Sequence, residues 1–386
     1  MPKNIIFCAD GTWNGPGDDD MADKATNVFR LFVNLDGEDD VASTLLADEQ
    51  ERNLSVDGTR VQCAKYLHGV GDSRNILVRL LGGTIGAGLI ARIVRGYTYI
   101  SRNYQPGDRI FMVGFSRGAY TARALGGMIV TKGLLDATQY NLEDKETAYR
   151  LGMSVWYAYR EVASQKNPNL FGRLQEVLSD LPQLFTLHDE AKLVDTEIEA
   201  VAVWDTVGSL GIPEFTLKLE RVDTFQFADT KLSGKVHHGL HAVAVDERRA
   251  DFTPTLWDPD DRIKQVLFPG AHSDVGGGYV TTANASGLSD CTLIWMTDEL
   301  AKLGVLFSRS PKHVAQPLEN GPAHQPWLDP PWHVLPSRPR IFPKGLFVSR
   351  CLIARSGAEA LDPRYAPENL ADYLVGGRAA AGIMVV

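Results

Sequence analysis

The stretch RIFMVGFSRGAYTA, residues 109–122, decides which fold this chain is expected to adopt. Its apolar start predicts a buried strand, and the small residues after the pentapeptide GFSRG (114–118) predict a helix. Glycines on both sides of the serine remove the Cβ atoms that would collide in a sharp turn between a strand and a helix. Such a turn presents the Ser116 hydroxyl beyond the end of the sheet as a nucleophile. The alternative is a chance match in an ordinary loop.

Apolar runs and helical patterns alternate on both sides of this turn. Runs that predict strands lie at 4–9, 61–67, 199–204 and 264–268, and helical periodicity marks 89–100 and 289–303. Apolar runs without polar alternation are typical of parallel strands that are buried on both faces. We therefore expect an α/β protein of the α/β-hydrolase fold, with a mostly parallel central sheet and helices on both faces.

One catalytic domain is expected over residues 1–303. A helical cap or lid is predicted as an insertion at about 140–195, with a second insertion at about 212–235, and a further helix is predicted over 237–246. Residues 304–386 are rich in proline, and no new periodic block follows that would indicate a separate domain. They are expected to form an irregular C-terminal arm that packs on the core.

The composition is that of an ordinary globular protein, with 44% hydrophobic and 23% charged residues among 386. The net charge of −9 argues against a nucleic-acid partner. The four cysteines are far apart, which predicts free thiols in a reducing compartment and no zinc site. Neither a cleavable signal peptide nor an apolar run of the roughly 18 residues that span a bilayer is visible. We expect no transmembrane segment and a protein that is cytoplasmic, or secreted without such a signal.

A serine hydroxyl needs a base, and histidine is the usual one because its pKa lies near neutral pH. In the hydrolase arrangement an acid and then the histidine follow the serine, each at the carboxyl end of a strand. Of the nine histidines, His272 follows an apolar strand in a glycine-rich loop and is the predicted base. His68 precedes the serine, and His237, His238 and His241 are expected to be surface or packing residues of the 237–246 helix.

Asp205 is the predicted acid because it ends a strand between Ser116 and His272. It would hold the correct histidine tautomer and stabilise the imidazolium that forms. Asp274 is too close in sequence to His272 for this geometry and is expected to support it from outside the triad. Asp10 and Asp274 could alternatively hold a metal ion, but no histidine–carboxylate spacing supports such a site.

An oxyanion hole requires two preorganised donors. One is predicted to be the backbone N–H of Arg117, directly after the nucleophile. The other is expected from the loop after the first strand, at Gly11 and Thr12. Asp10 would anchor that loop through hydrogen bonds, and ordinary turn chemistry is the alternative for Asp10 and Thr12.

Six motifs then occur in one order along the chain: ADGTWN (9–14), YLHGVGD (66–72), GFSRGAYTAR (114–123), VWDTVGSLG (203–211), HAVAVDERRADFTP (241–254) and PGAHSDVGGGY (269–279). Together they resemble an α/β-hydrolase family long catalogued as a domain of unknown function, which includes the type VI secretion phospholipase effectors of the GxSxG class. The resemblance covers residues 4–303 and implies Ser116 as nucleophile, Asp205 as acid and His272 as base. It also implies hydrolysis of phospholipid acyl esters, a bacterial source and delivery into a competitor's periplasm.

The sequence as a whole predicts a serine hydrolase of carboxylic esters that needs no cofactor, with lipid or phospholipid acyl esters as the favoured substrates. A secretion or immunity protein would be its partner. An esterase or thioesterase for small soluble acyl compounds is the nearest alternative, and a hydrolase-fold binding protein without turnover is another. The segment 247–249, Glu-Arg-Arg, is expected to form an ion pair of the scaffold.

Overall fold

The structure of the chain is a computed structural model that describes residues 2–11, 24–44, 49–69, 85–166, 191–207, 230–330, 332–358, 361 and 364–386. Within these residues the strands are β1 (Asn4–Ala9), β2 (Glu38–Asp39), β3 (Glu49–Val56), β4 (Thr59–Leu67), β5 (Arg109–Phe115), β6 (Leu134–Leu135), β7 (Leu193–Val194), β8 (Ile198–Trp204), β9 (Val236–Ala244), β10 (Ile263–Phe268), β11 (Phe347–Val348), β12 (Leu374–Val375) and β13 (Arg378–Ala379). The helices are α1 (Asn27–Asn34), α2 (Val41–Thr44), α3 (Ile85–Asn103), α4 (Arg117–Lys132), α5 (Lys145–Lys166), α6 (His272–Gly276), α7 (Gly287–Lys302) and α8 (Arg350–Gly357).

Nine of these strands form one sheet in the order β11-β10-β9-β8-β5-β1-β4-β3-β2. Neighbouring strands from β11 to β4 are parallel, and β3 and β2 extend the sheet in antiparallel pairing. β1 lies between β4 and β5, so the order of the strands reverses at this point. Ligand sites of open α/β sheets lie at the carboxyl ends of the strands beside such a reversal. The predicted α/β-hydrolase sheet is confirmed.

The two faces of β1 explain why its sequence is an unbroken apolar run. Ile5 and Phe7 belong to a core formed with α3, α4 and α5, whereas Ile6 and Cys8 belong to a second core formed with α1 and α7. All four side chains are at most 1% exposed. Helices therefore cover both faces of the sheet, as expected.

The prediction of a helix over 237–246 is wrong, because most of these residues form β9, which lies between β8 and β10 in the sheet. The second half of β9 is buried on both faces, so it lacks the polar alternation that distinguishes a strand from a buried helix. His241 is fully buried there, whereas His237 lies at the exposed start of the strand, with Nε2 2.9 Å from the Glu197 carboxylate. The other predicted strands and helices coincide with β1, β4, β8, β10, α3 and α7.

The C-terminal segment, residues 304–386, begins against α1 and β4, where Leu306 is hydrogen-bonded to Gln62, and its later part packs at the β10 edge of the sheet. β11 pairs with β10 there, and α8 follows it. Leu346 and Val348 form a third core with Val243 and Leu267 of the sheet. The segment therefore contains regular elements that its sequence did not indicate.

The structure describes the first part of the segment for which a cap was predicted. This part contains α5, which packs against α3 and α4 on one face of the sheet. Residues 167–190 and 208–229, which include the rest of the two predicted insertions, lie outside the described residues. In the described part of the chain, no helix combines the length and the apolar character needed to cross a membrane.

Candidate active site

Ser116 lies in a sharp turn between β5 and α4. Its backbone has φ 57° and ψ −124°, and a positive φ is uncommon for a residue other than glycine. The neighbouring glycines permit this turn: a Cβ on Gly118 would lie 2.0 Å from the Ala9 carbonyl oxygen, and one on Gly114 would lie 2.5 Å from the Gly118 carbonyl oxygen. The start of α4 therefore packs directly on the end of β1, with Ser116 beyond the sheet.

The sheet register places Asp205 beside this turn. β8 pairs with β5 so that Trp204 lies opposite Phe115, and Asp205 and Ser116 are the next residues of these adjacent strands. The Ser116 N–H donates to the Trp204 carbonyl at 3.1 Å, which ties the turn to β8. His272 begins α6 shortly after β10, at the same edge of the sheet.

The structure brings Asp205 and His272 into direct contact, with 2.5 Å between Oδ2 and Nδ1. Asp205 is fully buried, and His272 is 4% exposed. Because a carboxylate engages Nδ1, that nitrogen carries the proton and Nε2 is the basic nitrogen. The ring of Phe115 lies against the His272 ring, with 4.5 Å between centroids, so the imidazole is next to the turn that holds Ser116.

Burial determines the charge state of His272. It lowers the pKa of the imidazole, although the Asp205 hydrogen bond and charge oppose the shift. Phe252 contributes to this apolar environment, with its ring 4.9 Å from that of His272 between centroids. His272 is therefore neutral near pH 7, which is the state that a general base requires.

A guanidinium from the C-terminal segment binds the Asp205 carboxylate. Arg340 donates from Nη1 to Oδ1 at 2.7 Å and from Nη2 to Oδ2 at 2.9 Å. Burial opposes ionisation of Asp205, but the Arg340 charge, followed by the His272 hydrogen bond, holds the pKa of Asp205 well below its usual range. No motif pointed to Arg340, which follows Asp205 by 135 residues.

The predicted ion pair in segment 247–249 is present and has a second role. Arg249 donates to both oxygens of the Glu247 carboxylate, at 2.9 and 2.8 Å. Glu247 Oε2 also accepts the backbone N–H of His272 at 3.2 Å. The pair therefore fixes the first residue of α6, a role that the sequence alone did not indicate.

On the opposite side of Ser116, the loop after β1 approaches the turn closely. A Cβ on Gly11 would lie 3.2 Å from the Ser116 Cβ, which is tighter than most Cβ contacts. Gly11 was expected as an oxyanion donor, but its N–H donates to Asp10 Oδ1 at 2.7 Å because the carboxylate folds back over its own loop. Thr12 lies outside the described residues. Arg117 is the first residue of α4, where backbone N–H groups point out of the helix toward Ser116.

Asp10 is buried among neutral donors. In addition to Gly11, it accepts hydrogen bonds from the Tyr66 hydroxyl at 2.5 Å and the Thr26 hydroxyl at 2.7 Å. Burial raises the pKa of Asp10 to about 6, although these hydrogen bonds and the Arg92 charge oppose the shift. Arg92 donates to the Asp10 backbone carbonyl at 2.8 Å and not to the carboxylate. Asp10 thus joins the loop to β4 and to the start of α1.

Asp274 binds the backbone and His324 instead of the His272 ring. Its Oδ2 accepts the N–H groups of Ala271 and His324, each at 2.9 Å, and its Oδ1 lies 2.6 Å from His324 Nδ1. Asp274 therefore fixes the turn that begins α6. Among the described residues, no group of three or more His, Cys, Asp or Glu side chains could hold a metal ion.

A model of the family described as "T6SS, Phospholipase effector Tle1-like, catalytic domain" matches residues 3–299. Ser116, Asp205 and His272 lie inside the matched region, and Arg340 lies outside it.

Individual relatives are more distant. An uncharacterized protein of Saccharomyces cerevisiae is 29% identical over 265 residues, which cover 69% of this chain and 34% of that protein. An uncharacterized protein from Pseudomonas aeruginosa has a similar structure, with a TM-score of 0.44, 16% identity, and coverage of 80% of this chain and 47% of that chain. The Tle1 effector bound to the VgrG spike of the type 6 secretion system has a TM-score of 0.39, 17% identity, and coverage of 72% and 51%. This chain spans about a third to a half of their lengths. Since one relative is a yeast protein, similarity alone does not assign a bacterial source.

Proposed function

The chain belongs to the family of Tle1-like phospholipase effector catalytic domains of the type VI secretion system, and we propose that it is a serine hydrolase of carboxylic esters. Family membership supports hydrolase chemistry. The observation that carries the specific mechanism is the hydrogen bond between Asp205 and His272, next to the strained turn that holds Ser116. We assign Ser116 as the nucleophile, His272 as the base and Asp205 as the acid that orients it.

In the first half of the proposed reaction, Ser116 Oγ attacks the ester carbonyl carbon while His272 Nε2 takes the hydroxyl proton. The tetrahedral intermediate carries a negative oxygen, which the N–H groups of Arg117 and Thr12 stabilise. When the bond to the alcohol oxygen breaks, His272 returns the proton to that oxygen. The alcohol leaves, and the acyl group remains on Ser116.

In the second half, water takes the place of the alcohol. His272 accepts a proton from the water as its oxygen bonds to the acyl carbon. The bond to Ser116 Oγ then breaks, the proton returns to Oγ, and the carboxylic acid leaves. In both halves Asp205 holds Nδ1–H and offsets the charge of the transient imidazolium.

Lipid acyl esters are the substrate class that we propose. The description of the family names phospholipases, and apolar side chains extend from His272 toward the surface. Phe252 contacts the His272 ring, and Trp332 lies against Phe252 with 5.3 Å between ring centroids. Val334, two residues further along, is 72% exposed. Aromatic side chains next to the histidine suit an apolar acyl chain, so we propose lipid esters over small soluble esters.

The test compares wild type with Ser116→Ala on monomeric p-nitrophenyl butyrate and on phosphatidylglycerol vesicles. We expect wild type to hydrolyse the vesicle lipid faster, and we expect Ser116→Ala to lose about 10⁴-fold or more in kcat on both substrates. Ser101→Ala is the matched control, because Ser101 is buried in α3 and its Oγ accepts the Leu135 N–H.

Each part of the proposal has its own contradicting outcome. A Ser116→Ala rate within tenfold of wild type would contradict the nucleophile assignment. A wild-type rate on vesicles no higher than that on the monomeric ester would contradict the lipid preference and favour a soluble-ester enzyme. Binding of lipid without turnover by wild type would instead support the non-catalytic alternative.

A further inference from the structure

We propose that Arg340 is a positioning residue of the active site, which fixes the Asp205 carboxylate against His272 Nδ1 and makes the C-terminal segment part of the catalytic assembly. The inference rests on the proposed function, in which Asp205 is the acid. Because the family match ends at residue 299, Arg340 comes from a part of the chain that the family model does not include.

Arg340 joins the acid to two neighbouring segments of backbone. Besides both oxygens of Asp205, it binds the Ala244 carbonyl at the end of β9, with Nη1 as the donor at 2.7 Å. Nη2 donates to the Phe252 carbonyl, and the ring of Phe252 packs on His272. Arg340 is only 6% exposed. One guanidinium therefore connects the acid, the strand beside it and a wall of the histidine site.

The two-point contact with Arg340 orients the Asp205 carboxylate toward the histidine. Oδ1 accepts the Ala244 N–H at 3.0 Å, and Oδ2 is the oxygen that meets His272. A planar guanidinium that binds both oxygens also fixes the plane of the carboxylate. Asp205 also has a positive φ of 35°, which is uncommon for residues other than glycine. Its carboxylate contacts therefore lie at a tight turn after β8.

Arg340 also supplies the countercharge that the resting site requires. A fully buried carboxylate next to a neutral imidazole would lack a cationic partner, which is costly in an apolar interior. Arg249, the other guanidinium near His272, is already paired with Glu247. Arg340 therefore keeps Asp205 ionised in the steps in which His272 carries no positive charge.

A double-mutant cycle tests whether Arg340 acts through Asp205. Arg340→Met is made in wild type and in Asp205→Asn, and kcat and KM are measured on p-nitrophenyl butyrate. In wild type we expect kcat to fall about a hundredfold with KM nearly unchanged, because the acid is misplaced. In Asp205→Asn we expect little further loss. Similar losses in the two backgrounds, or no loss in wild type, would overturn the proposal.

Arg355→Met is the matched control. Arg355 lies in the same C-terminal segment, is also 6% exposed and binds two backbone carbonyls, those of Glu319 and Gly321. We expect its kcat to equal that of wild type, and a loss as large as that of Arg340→Met would indicate a general effect of removing a buried arginine. Arg340→Lys keeps the charge but cannot bind both oxygens in one plane, so an intermediate loss is expected. If Arg340→Met does not fold, the cycle is run with Arg340→Lys.

A measurement without turnover separates this proposal from the proposed function. The proton between His272 Nδ1 and Asp205 gives a far-downfield resonance in ¹H NMR. We expect this resonance in wild type and Arg355→Met, and its loss or upfield shift in Arg340→Met or Arg340→Lys. If wild type hydrolyses no ester but the resonance depends on Arg340, the proposed function fails and the positioning role stands. An unchanged resonance in both Arg340 variants would overturn the positioning role.

Discussion

Two buried aspartates end parallel strands of the same sheet, and they are held in opposite ways. Asp205, after β8, receives the Arg340 guanidinium and the His272 imidazole. Among the described residues, the Asp10 carboxylate, after β1, accepts hydrogen bonds from neutral donors: the Gly11 N–H and the Thr26 and Tyr66 hydroxyls. The pKa of Asp205 lies well below its usual range, because the Arg340 charge overcomes the effect of burial, whereas burial raises the pKa of Asp10 to about 6.

The contrast indicates that a guanidinium bound directly to a buried carboxylate lowers its pKa more than three neutral hydrogen bonds and the Arg92 charge do at Asp10. Asp10 accepts three hydrogen bonds and still has a raised pKa. The difference matches the two roles that we propose. The acid that faces His272 must keep its charge, whereas the residue that anchors the loop beside Ser116 only has to accept hydrogen bonds.

The largest effect on turnover is expected when the Asp205 carboxylate is replaced by a neutral amide. Asp205→Asn should reduce kcat about 10⁴-fold, because an amide at this position favours the wrong tautomer of His272 and no longer stabilises the imidazolium. Steady-state kinetics with circular dichroism to verify folding provide the measurement. A loss of less than tenfold in a folded variant would place the acid elsewhere.

The second effect is on the free energy of unfolding, whose dependence on pH has opposite signs for Asp10 and Asp205. Folding raises the pKa of Asp10 from about 3.9 in the unfolded chain to about 6, so its contribution is complete below pH 4 and is lost as the pH rises through 6. Relative to Asp10→Asn, wild type should therefore lose about 2–3 kcal/mol of unfolding free energy between pH 4 and pH 6.5. The contribution of Asp205, whose pKa is lowered, is instead present above pH 4 and lost in more acidic solution.

Urea unfolding of both proteins at several pH values measures this difference, and contributions from groups other than Asp10 cancel in the comparison. A difference that stays constant from pH 4 to pH 6.5 would show that Asp10 has an ordinary pKa.

A smaller effect on turnover is expected at Asp10. Asp10→Asn keeps one oxygen that can accept the Tyr66 or Thr26 hydroxyl, so the loop beside Ser116 should loosen but remain folded. We expect kcat to fall about tenfold, less than the loss that follows removal of an oxyanion donor itself. If kcat fell as far as in Asp205→Asn, the two carboxylates would have equivalent roles, contrary to the contrast between them.

The smallest effect is on the pH profile. Because burial lowers the pKa of His272, the midpoint of the fall in kcat/KM of wild type at acidic pH should lie below about 6.5, the pKa of an ordinary histidine. Asp10 also titrates near this range, so Asp10→Asn separates the two groups. We expect kcat/KM of this variant to fall at the same acidic pH as that of wild type. A fall that moved to a different pH in Asp10→Asn would identify Asp10 as the group that controls activity.

The sequence predicted those parts of the site that follow from local pattern. An apolar run followed by GFSRG indicates the turn at Ser116 because Gly114 and Gly118 leave room for backbone that a Cβ would strike. Asp205 and His272 follow apolar runs that become β8 and β10. Residues that follow parallel strands of one sheet lie at the same edge, so chain order makes Asp205 and His272 the candidates that we propose.

The remaining parts depend on contacts between distant segments. Arg340 lies in an irregular, proline-rich stretch, and its partner is 135 residues away. β9 is a strand because it pairs with β8 and β10 on its two sides. Its own apolar sequence does not show that these partners are present. The Gly11 N–H donates to the Asp10 carboxylate because that side chain folds back over the loop. No residue pattern predicts this side-chain conformation.

The most direct test of the central claim is covalent labelling with a fluorophosphonate, which reacts with an activated serine. Wild type, Ser116→Ala, Asp205→Asn and Asp10→Asn are compared by labelling rate, and peptide mass spectrometry locates the adduct. We predict an adduct on Ser116 in wild type, none in Ser116→Ala, much slower labelling in Asp205→Asn and only a modest reduction in Asp10→Asn. Equal labelling of wild type and Ser116→Ala would contradict the assignment of Ser116 as the nucleophile.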